Sequence, residues 1–412
     1  MNGIERWIYA CVKDRPVLKQ RIVDVYQAAL SLVPQKAIDT SGEPIVREGF
    51  FHGFHDKSPF SSDGSRLLAH RSLIGEKRVS LGDAVEVGVF EGREWRDFRS
   101  LARTTGWNWQ LGAMLQWTGS AGDRIVFNAI DGTRPMAKVV NLEGVVQEEW
   151  PHPVVHVSPS GSHACSYDFC RVEDAMPGYG IVSGRGVPGT DLTSSFRVFE
   201  CASGHTTFAL SLEEAAGMSW QPSMDGAFHY FHHALFSPNG RRLFFLHRWL
   251  DTNRRRWTRM FSAAPDGSEL YLFPMDEMVS HVTWASPSEI FGYMRYPRQG
   301  DGYYLVEDRT GEAKRYFREI LDSDGHPTMD KKRGIVLTDT YPDRFRNQCL
   351  VLCVLDGARR IDLCRTHLPR RFARELQVDL HPRLHPTDLI ACFDSGHTGR
   401  RSLVTLDFAA LG

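Results

Sequence analysis

Four histidines stand at one spacing from the segments that follow them. His233, His281, His326 and His381 each lie three residues ahead of an apolar position that opens a turn-rich unit. The units read "HHALFSPNG" (from His232), "HVTWASPSE", "HPTMDKKRG" and "HPRLHPTDL". Three earlier units carry Lys57, Met114 and Val154 at the same register. A lone histidine in this position reads as a turn cap. Four in register point to side chains that converge. Neutral imidazole is the commonest metal ligand in proteins, and several converging rings suit a divalent transition ion. Gathered titratable groups also mark catalytic centres.

Other polar groups fall near the same register. His55 in "GFHDKSPF" precedes the first unit. Gln110 in "WNWQLGAMLQW" precedes the second, flanked by Trp107 and Trp109, whose rings suit sugar stacking or core packing. Asp379 and Arg383 bracket His381. Arg171 and Tyr179 lie in "FCRVEDAMPGYG", and Arg248 follows "FFLH".

Positioning these residues requires a repeating frame. "FSSDGSRLLAHR", "WTGSAGDRIVFNA", "VSPSGSHACSYDF", "FSPNGRRLFFLHRW", "WASPSEIFGYM", "MDKKRGIVLTDTY" and "LHPTDLIACFDS" share one design. Each has an aromatic or apolar residue, a Ser/Pro/Asp/Gly turn, then alternating apolar residues, which gives antiparallel strands joined by tight turns. Most units recur every 40–57 residues or so, near the ~40–50 of a propeller blade. The reading is an all-β, seven-bladed β-propeller with a short N-terminal helical segment. Residues 1–40 form the helical extension, through "IERWIYACV" and "LKQRIVDVYQAALSLV", and residues 41–412 form the propeller. The interval from Val157 to Phe236 is longer and is expected to hold loops over one face. The last unit ends after three strands, and "EPIVREGFF" is expected to supply the fourth and close the ring.

Composition narrows the classes. The chain has 412 residues, a net charge of −1 and 24% charged residues. That balance does not suggest a strongly cationic nucleic-acid binder. Eight cysteines without a CxxC pair read as reduced, buried thiols. No apolar stretch reaches the length of a transmembrane span, and the polar N-terminus lacks a signal-peptide core. A cytoplasmic protein is expected. The chain also lacks a G-x-S-x-G elbow, a phosphate-binding G-x-x-x-x-G-K-[ST] loop and H-E-x-x-H.

The segments "HHALFSPNGRRLFFLHRW", "SHVTW" and "DLHPRLHPTDLIACFDSGHTGRRSL" resemble oligogalacturonate lyases and, more distantly, ulvan lyases. "GFHDKSPFSSDG" and "TTGWNWQLGAMLQW" look like a branch of such propellers associated with polysaccharide biosynthesis. The resemblance implies a base at His233 or its neighbour His232 and a divalent metal (Mn, Ca or Zn) on His281 and His381. His326, at the same register, joins the expected metal set. The chain departs from the family where Arg383 replaces the second histidine of a His-Pro-His motif and Val378 stands at the position of a glutamine ligand. His55, Arg171, Tyr179 and Arg248 complete the expected catalytic group. Lys57, Trp109, Gln110 and Arg383 are the expected substrate-binding residues. The implied activity is β-elimination on an acidic, uronate-containing oligo- or polysaccharide. The alternative is a non-catalytic propeller that binds glycan or polysaccharide-biosynthesis proteins, and a third reading has the histidines only knitting blades together.

Overall fold

The computed structural model describes residues 30, 33–119, 122–186, 189–275 and 277–411. Its strands form seven antiparallel sheets, each of four or five strands: a seven-bladed β-propeller. The two expected N-terminal helices lie almost wholly outside the described residues. Ile38–Thr40 is a strand that pairs with Arg359–His367 and adds a fifth strand to blade six.

Turn chemistry builds the blades. In "SSDGS", "SPSGS" and "SPNGR" the glycine N–H donates to the carbonyl of the serine three residues earlier, for Gly64, Gly161 and Gly240. Each of these glycines has φ near +70°, a left-handed backbone that costs glycine nothing and other residues more. Alternating apolar residues then bury between neighbouring blades. Phe196, Phe245 and Phe261 stack across blades three and four, with centroids 4.2 and 5.5 Å apart.

The ring closes as the sequence suggests, with a finer division. Ile45–Glu48 is the outer strand of blade seven, paired with Ser402–Asp407. Phe50–Phe51 already belongs to blade one, where it pairs with Leu67–Ser72. Interlocking the first described strands with the last blade leaves no unpaired seam there.

The long interval between Val157 and Phe236 differs from the expected loops. It contains a helix, Phe169–Ala175, capped by the Asp168 carboxylate. It also holds two strands of blade three, Ser195–Glu200 and Thr206–Ser211, and a second helix, Leu212–Gly217, with a Ser211/Glu214 capping box. Both helices are too short for a 3.6-residue period to stand out from the surrounding turns. The seven described cysteines are all free, and all but Cys349 are buried.

Candidate functional site

The shared register has a backbone cause. His233 (φ 56°) and His381 (φ 45°) are left-handed, as is Met114 (φ 54°) at the equivalent position of blade two. Non-glycine residues rarely adopt this conformation, and it costs of order 1–3 kcal/mol where it occurs. In blade four the ladder shifts register between His232 and Ala234, and in blade five between Val279 and Val282. Such bulges re-aim a side chain and recur beside active sites. His233 and His281 therefore sit inside strands Phe228–Phe236 and Val279–Trp284, not ahead of them. His326 and His381 do precede their strands, Thr328–Asp330 and Arg383–Leu384.

The four rings converge on a fifth. The innermost strand of blade one breaks after Phe51 and resumes only at Phe60, which bridges to Leu67. The intervening segment carries Phe54 and His55 into the centre. The His55 ring lies 6.0, 5.9, 5.5 and 6.5 Å from those of His233, His281, His326 and His381. Phe54 packs against the same four rings at 5.2–6.1 Å. It also belongs to the apolar cluster of Met114 and Val154. The register positions of blades two and three are thus apolar and those of blades four to seven are imidazoles. Lys57, the blade-one residue at this register, is buried against Asp56, 2.8 Å from both carboxylate oxygens.

Carboxylates orient the imidazoles. The His326 backbone N–H and Nδ1 both donate to Asp339, at 2.7 and 2.9 Å. The His381 backbone N–H donates to the other oxygen of Asp339 at 3.1 Å. His281 Nδ1 donates to Asp324 at 3.2 Å. These bonds leave Nε2 of His326 and His281 with its lone pair. Burial opposes protonation of His326, but Asp339, Asp379 and Asp324 outweigh it and raise its pKa. Burial, then the charges of neighbouring groups, holds His55, His233 and His381 well below the ordinary histidine range. Burial raises the Asp379 carboxyl above its ordinary value, while Gln377 donates to it at 3.0 Å.

His326, Asp379 and His381 bring one ligand atom each to within 4.8 Å of one another. Two imidazole nitrogens and one carboxylate oxygen are a donor set suited to a divalent transition ion. His381 Nε2 is buried without a hydrogen-bond partner, which fits a ligand atom. Both ring nitrogens of His55 and His233 likewise make no hydrogen bond, although His233 Nε2 lies 3.6 Å from the Asp56 carboxylate. His281, 4.1 Å from His326 by ring centroid, adjoins this group, and Asp379 takes the third place in it. Four of the five histidines are buried. His281 at 14% side-chain exposure, Asp324 at 22%, and the exposed Tyr341 mark where the cluster meets solvent. Tyr341 lies 5.5 Å from the His326 ring.

The remaining expected residues divide. Arg248 adjoins the cluster: its guanidinium donates to the Ser280 carbonyl at 3.4 Å, and its charge acts on His232 and His233. His232 stacks on Tyr167 at 6.1 Å and meets Tyr179 edge-on at 6.0 Å. Arg171 points elsewhere, donating to the His229 and Gly189 carbonyls. Trp109 has no face free for a sugar. It is 1% exposed, packed on Phe51 and Trp107 under the Arg401 guanidinium. Gln110 is buried and donates to the Gln377 carbonyl at 2.8 Å. Arg383 is buried too; it donates to the Gly53 and Phe54 carbonyls and lies 3.7 Å from Asp394, which accepts the His52 and Gly53 N–H groups. It holds the segment that carries His55. Sequence reasoning missed Phe54, Asp324 and Asp339. The one available signal for Asp339 is an acidic residue ending the apolar run "IVLTD" of a central strand.

No family model and no curated protein matches the chain. Solved structures match it in fold. The oligogalacturonate lyase of Vibrio parahaemolyticus aligns over 91% of this chain and 98% of its own, with a TM-score of 0.58 and 13% identity. The β-propeller domain of Cps50 (Swd1) from Myceliophteria thermophila gives 0.48 at 11% identity, covering 88% of this chain and 99% of that one. The β-propeller domain of the trilobed protease from Pyrococcus furiosus gives 0.45 at 12%, covering 87% and 96%. At these identities the likeness extends to the fold: this chain is a seven-bladed β-propeller similar in architecture to an oligogalacturonate lyase.

Proposed function

We propose that the protein is a metal-assisted lyase acting on a uronate-containing oligosaccharide at the five-histidine cluster. The observation that carries this reading is the convergence of His55, His233, His281, His326 and His381 beside Asp379, with both ring nitrogens of His55 and His233 and Nε2 of His381 making no hydrogen bond. His326, His381 and Asp379 would hold a divalent ion, with His281 adjoining. The ion's contribution is to neutralise the substrate carboxylate and so make the neighbouring C–H more acidic.

The chain's own residues supply the rest. His233 is neutral, because burial and the Lys57 and Arg248 charges disfavour its proton. A neutral imidazole accepts the proton α to the carboxylate, and its electron pair forms the new C=C bond as the glycosidic C–O bond breaks. Arg248 places a positive charge beside the developing enolate. The proton that His233 accepts is then available to the departing oxygen, and His55, held neutral by burial, lines the site beside it. Arg383, Asp394 and Asp339 act as positioning residues for His55, His326 and His381. A substrate approaches from the Tyr341 side. Oligosaccharide rather than polymer suits the cytoplasmic location expected from the sequence.

The burial of four of the five histidines favours a second reading, in which a metal–histidine group ties the blades together. Chelator treatment with turnover and thermal unfolding measured in parallel separates the two. The lyase reading expects a stoichiometric ion by elemental analysis, lost in His381→Ala, and chelation that abolishes β-elimination of oligogalacturonate. Chelation that lowers Tm sharply in a protein without turnover supports the scaffold. A wild-type protein that takes up no divalent ion defeats both.

A further inference from the structure

A second cleft, of about 410 Å³, is lined by residues of blades two and three and the segment after helix Phe169–Ala175. That volume lies within the range of small-molecule sites, ~300–1,000 Å³. Four arginines, Arg134, Arg171, Arg185 and Arg197, line it against two aspartates, Asp168 and Asp191, an excess of two positive charges.

The arginines differ in their commitments. Arg185 is paired with Asp168 at 2.7 Å, and Arg171 is held by the His229 and Gly189 carbonyls. Arg134 has only a loose, exposed contact with Asp131 at 3.5 Å. Arg197 has no hydrogen bond or ion pair to any described residue, although it is half-buried in the wall. His152 lies between them and feels the charge of both Arg197 and Arg134. Like charges gathered in a concave, partly desolvated wall repel unless an anion joins them. Tyr167 also lines the cleft. It is 3% exposed; its ring forms part of the wall, while its hydroxyl lies on the central side, by the His233 backbone. Pro135, Pro151 and Phe169 supply apolar surface beside these polar groups.

We infer that this cleft binds an organic oxyanion of sugar size, whose carboxylate or phosphate is held by Arg197 and Arg134. The inference stands apart from the chemistry at the histidine cluster. Tyr167, in the wall between the two, stacks on His232 at 6.1 Å.

Calorimetric titration of the full chain tests it with three probes: trigalacturonate, glucose 6-phosphate and neutral maltotriose. The expected result is that one of the two anions binds, that maltotriose does not, and that Arg197→Gln weakens the anion about tenfold, the equivalent of one lost charge-assisted hydrogen bond at ~1.4 kcal/mol. Binding should fall at high salt and survive His281→Ala, which separates this cleft from the central site. Trigalacturonate binding alone identifies a carboxylate ligand; glucose 6-phosphate binding alone identifies a phosphate ligand. No anion binding, or binding that Arg197→Gln and Arg134→Gln leave unchanged in folded protein, overturns the inference. Binding lost in His281→Ala but kept in Arg197→Gln overturns it as well.

Discussion

Asp339→Asn is a near-isosteric change aimed at the hinge of the proposed metal group. In the native protein the two Asp339 oxygens accept from the His326 backbone at 2.7 Å, His326 Nδ1 at 2.9 and 3.0 Å, and the His381 backbone at 3.1 Å. An asparagine offers one oxygen and one NH₂. Whichever way the amide lies, the NH₂ faces a donor, either the His326 pair or the His381 N–H. One buried donor left unpaired costs about 1–3 kcal/mol of stability. The negative charge that fixes the His326 tautomer and raises its basicity is lost as well. Losing such an outer carboxylate typically costs 10–100-fold in metal affinity, or ~1.4–2.8 kcal/mol. Titration of Mn²⁺ or Zn²⁺ into chelator-treated protein reads the affinity, with Asp362→Asn on the Arg359–His367 strand of blade six as a folded control. Asp339→Asn should bind at least tenfold more weakly than the control. Equal affinity in a variant whose Tm has fallen would refute the role given to Asp339, because the bond would then serve the fold alone.

Three further outcomes follow from the same geometry. His70, buried, and His156, half-buried, are neutral, with pKa values held down to about 3, mainly by desolvation. The unfolded chain binds their protons near pH 6.5 and the folded one does not. Stability is therefore lost as pH falls from ~6.5 towards 3, at ~1.4 kcal/mol per pH unit per group. His70→Gln should flatten the pH dependence of urea unfolding by about that slope, and an unchanged slope counts against the assignment. Arg383→Met leaves the Asp394 carboxylate buried without its guanidinium, at a cost of ~3–5 kcal/mol, so thermal unfolding should move down substantially; an unaltered Tm with weakened substrate binding would restore Arg383 as a ligand contact. Trp109→Ala should cost ~3–5 kcal/mol of stability as a core truncation; a stable variant that has lost glycan binding would contradict its burial.

The blade frame was legible because it depends on local signals: period-two alternation and serine–glycine turns repeated along the chain. The histidine register was legible for the same reason, since the same spacing to the following turn recurs in four successive blades. What the sequence concealed is long-range. His55 reaches the centre because the inner strand of blade one is interrupted, a feature that no spacing reveals. Asp339 meets His381, 42 positions further along the chain, and Arg383 meets Gly53 and Phe54 across the closure of the ring. Trp109 and Gln110 looked available because aromatic and amide side chains have the same letter in a core as on a surface. Arg171 and Arg248 were equivalent candidates by type. The fold decides that Arg248, opposite Tyr230 in the ladder, adjoins the cluster while Arg171, buried in the helix at 169–175, turns to the His229 and Gly189 carbonyls.

The most direct measurement is the ultraviolet absorbance of the unsaturated uronate end formed when metal-loaded protein meets trigalacturonate. The lyase account predicts steady growth of that absorbance with wild type, loss of at least a hundredfold in rate for His233→Ala, and loss on chelation that added divalent ion restores. Uronate oligosaccharides left intact by a protein with a full complement of metal would contradict it.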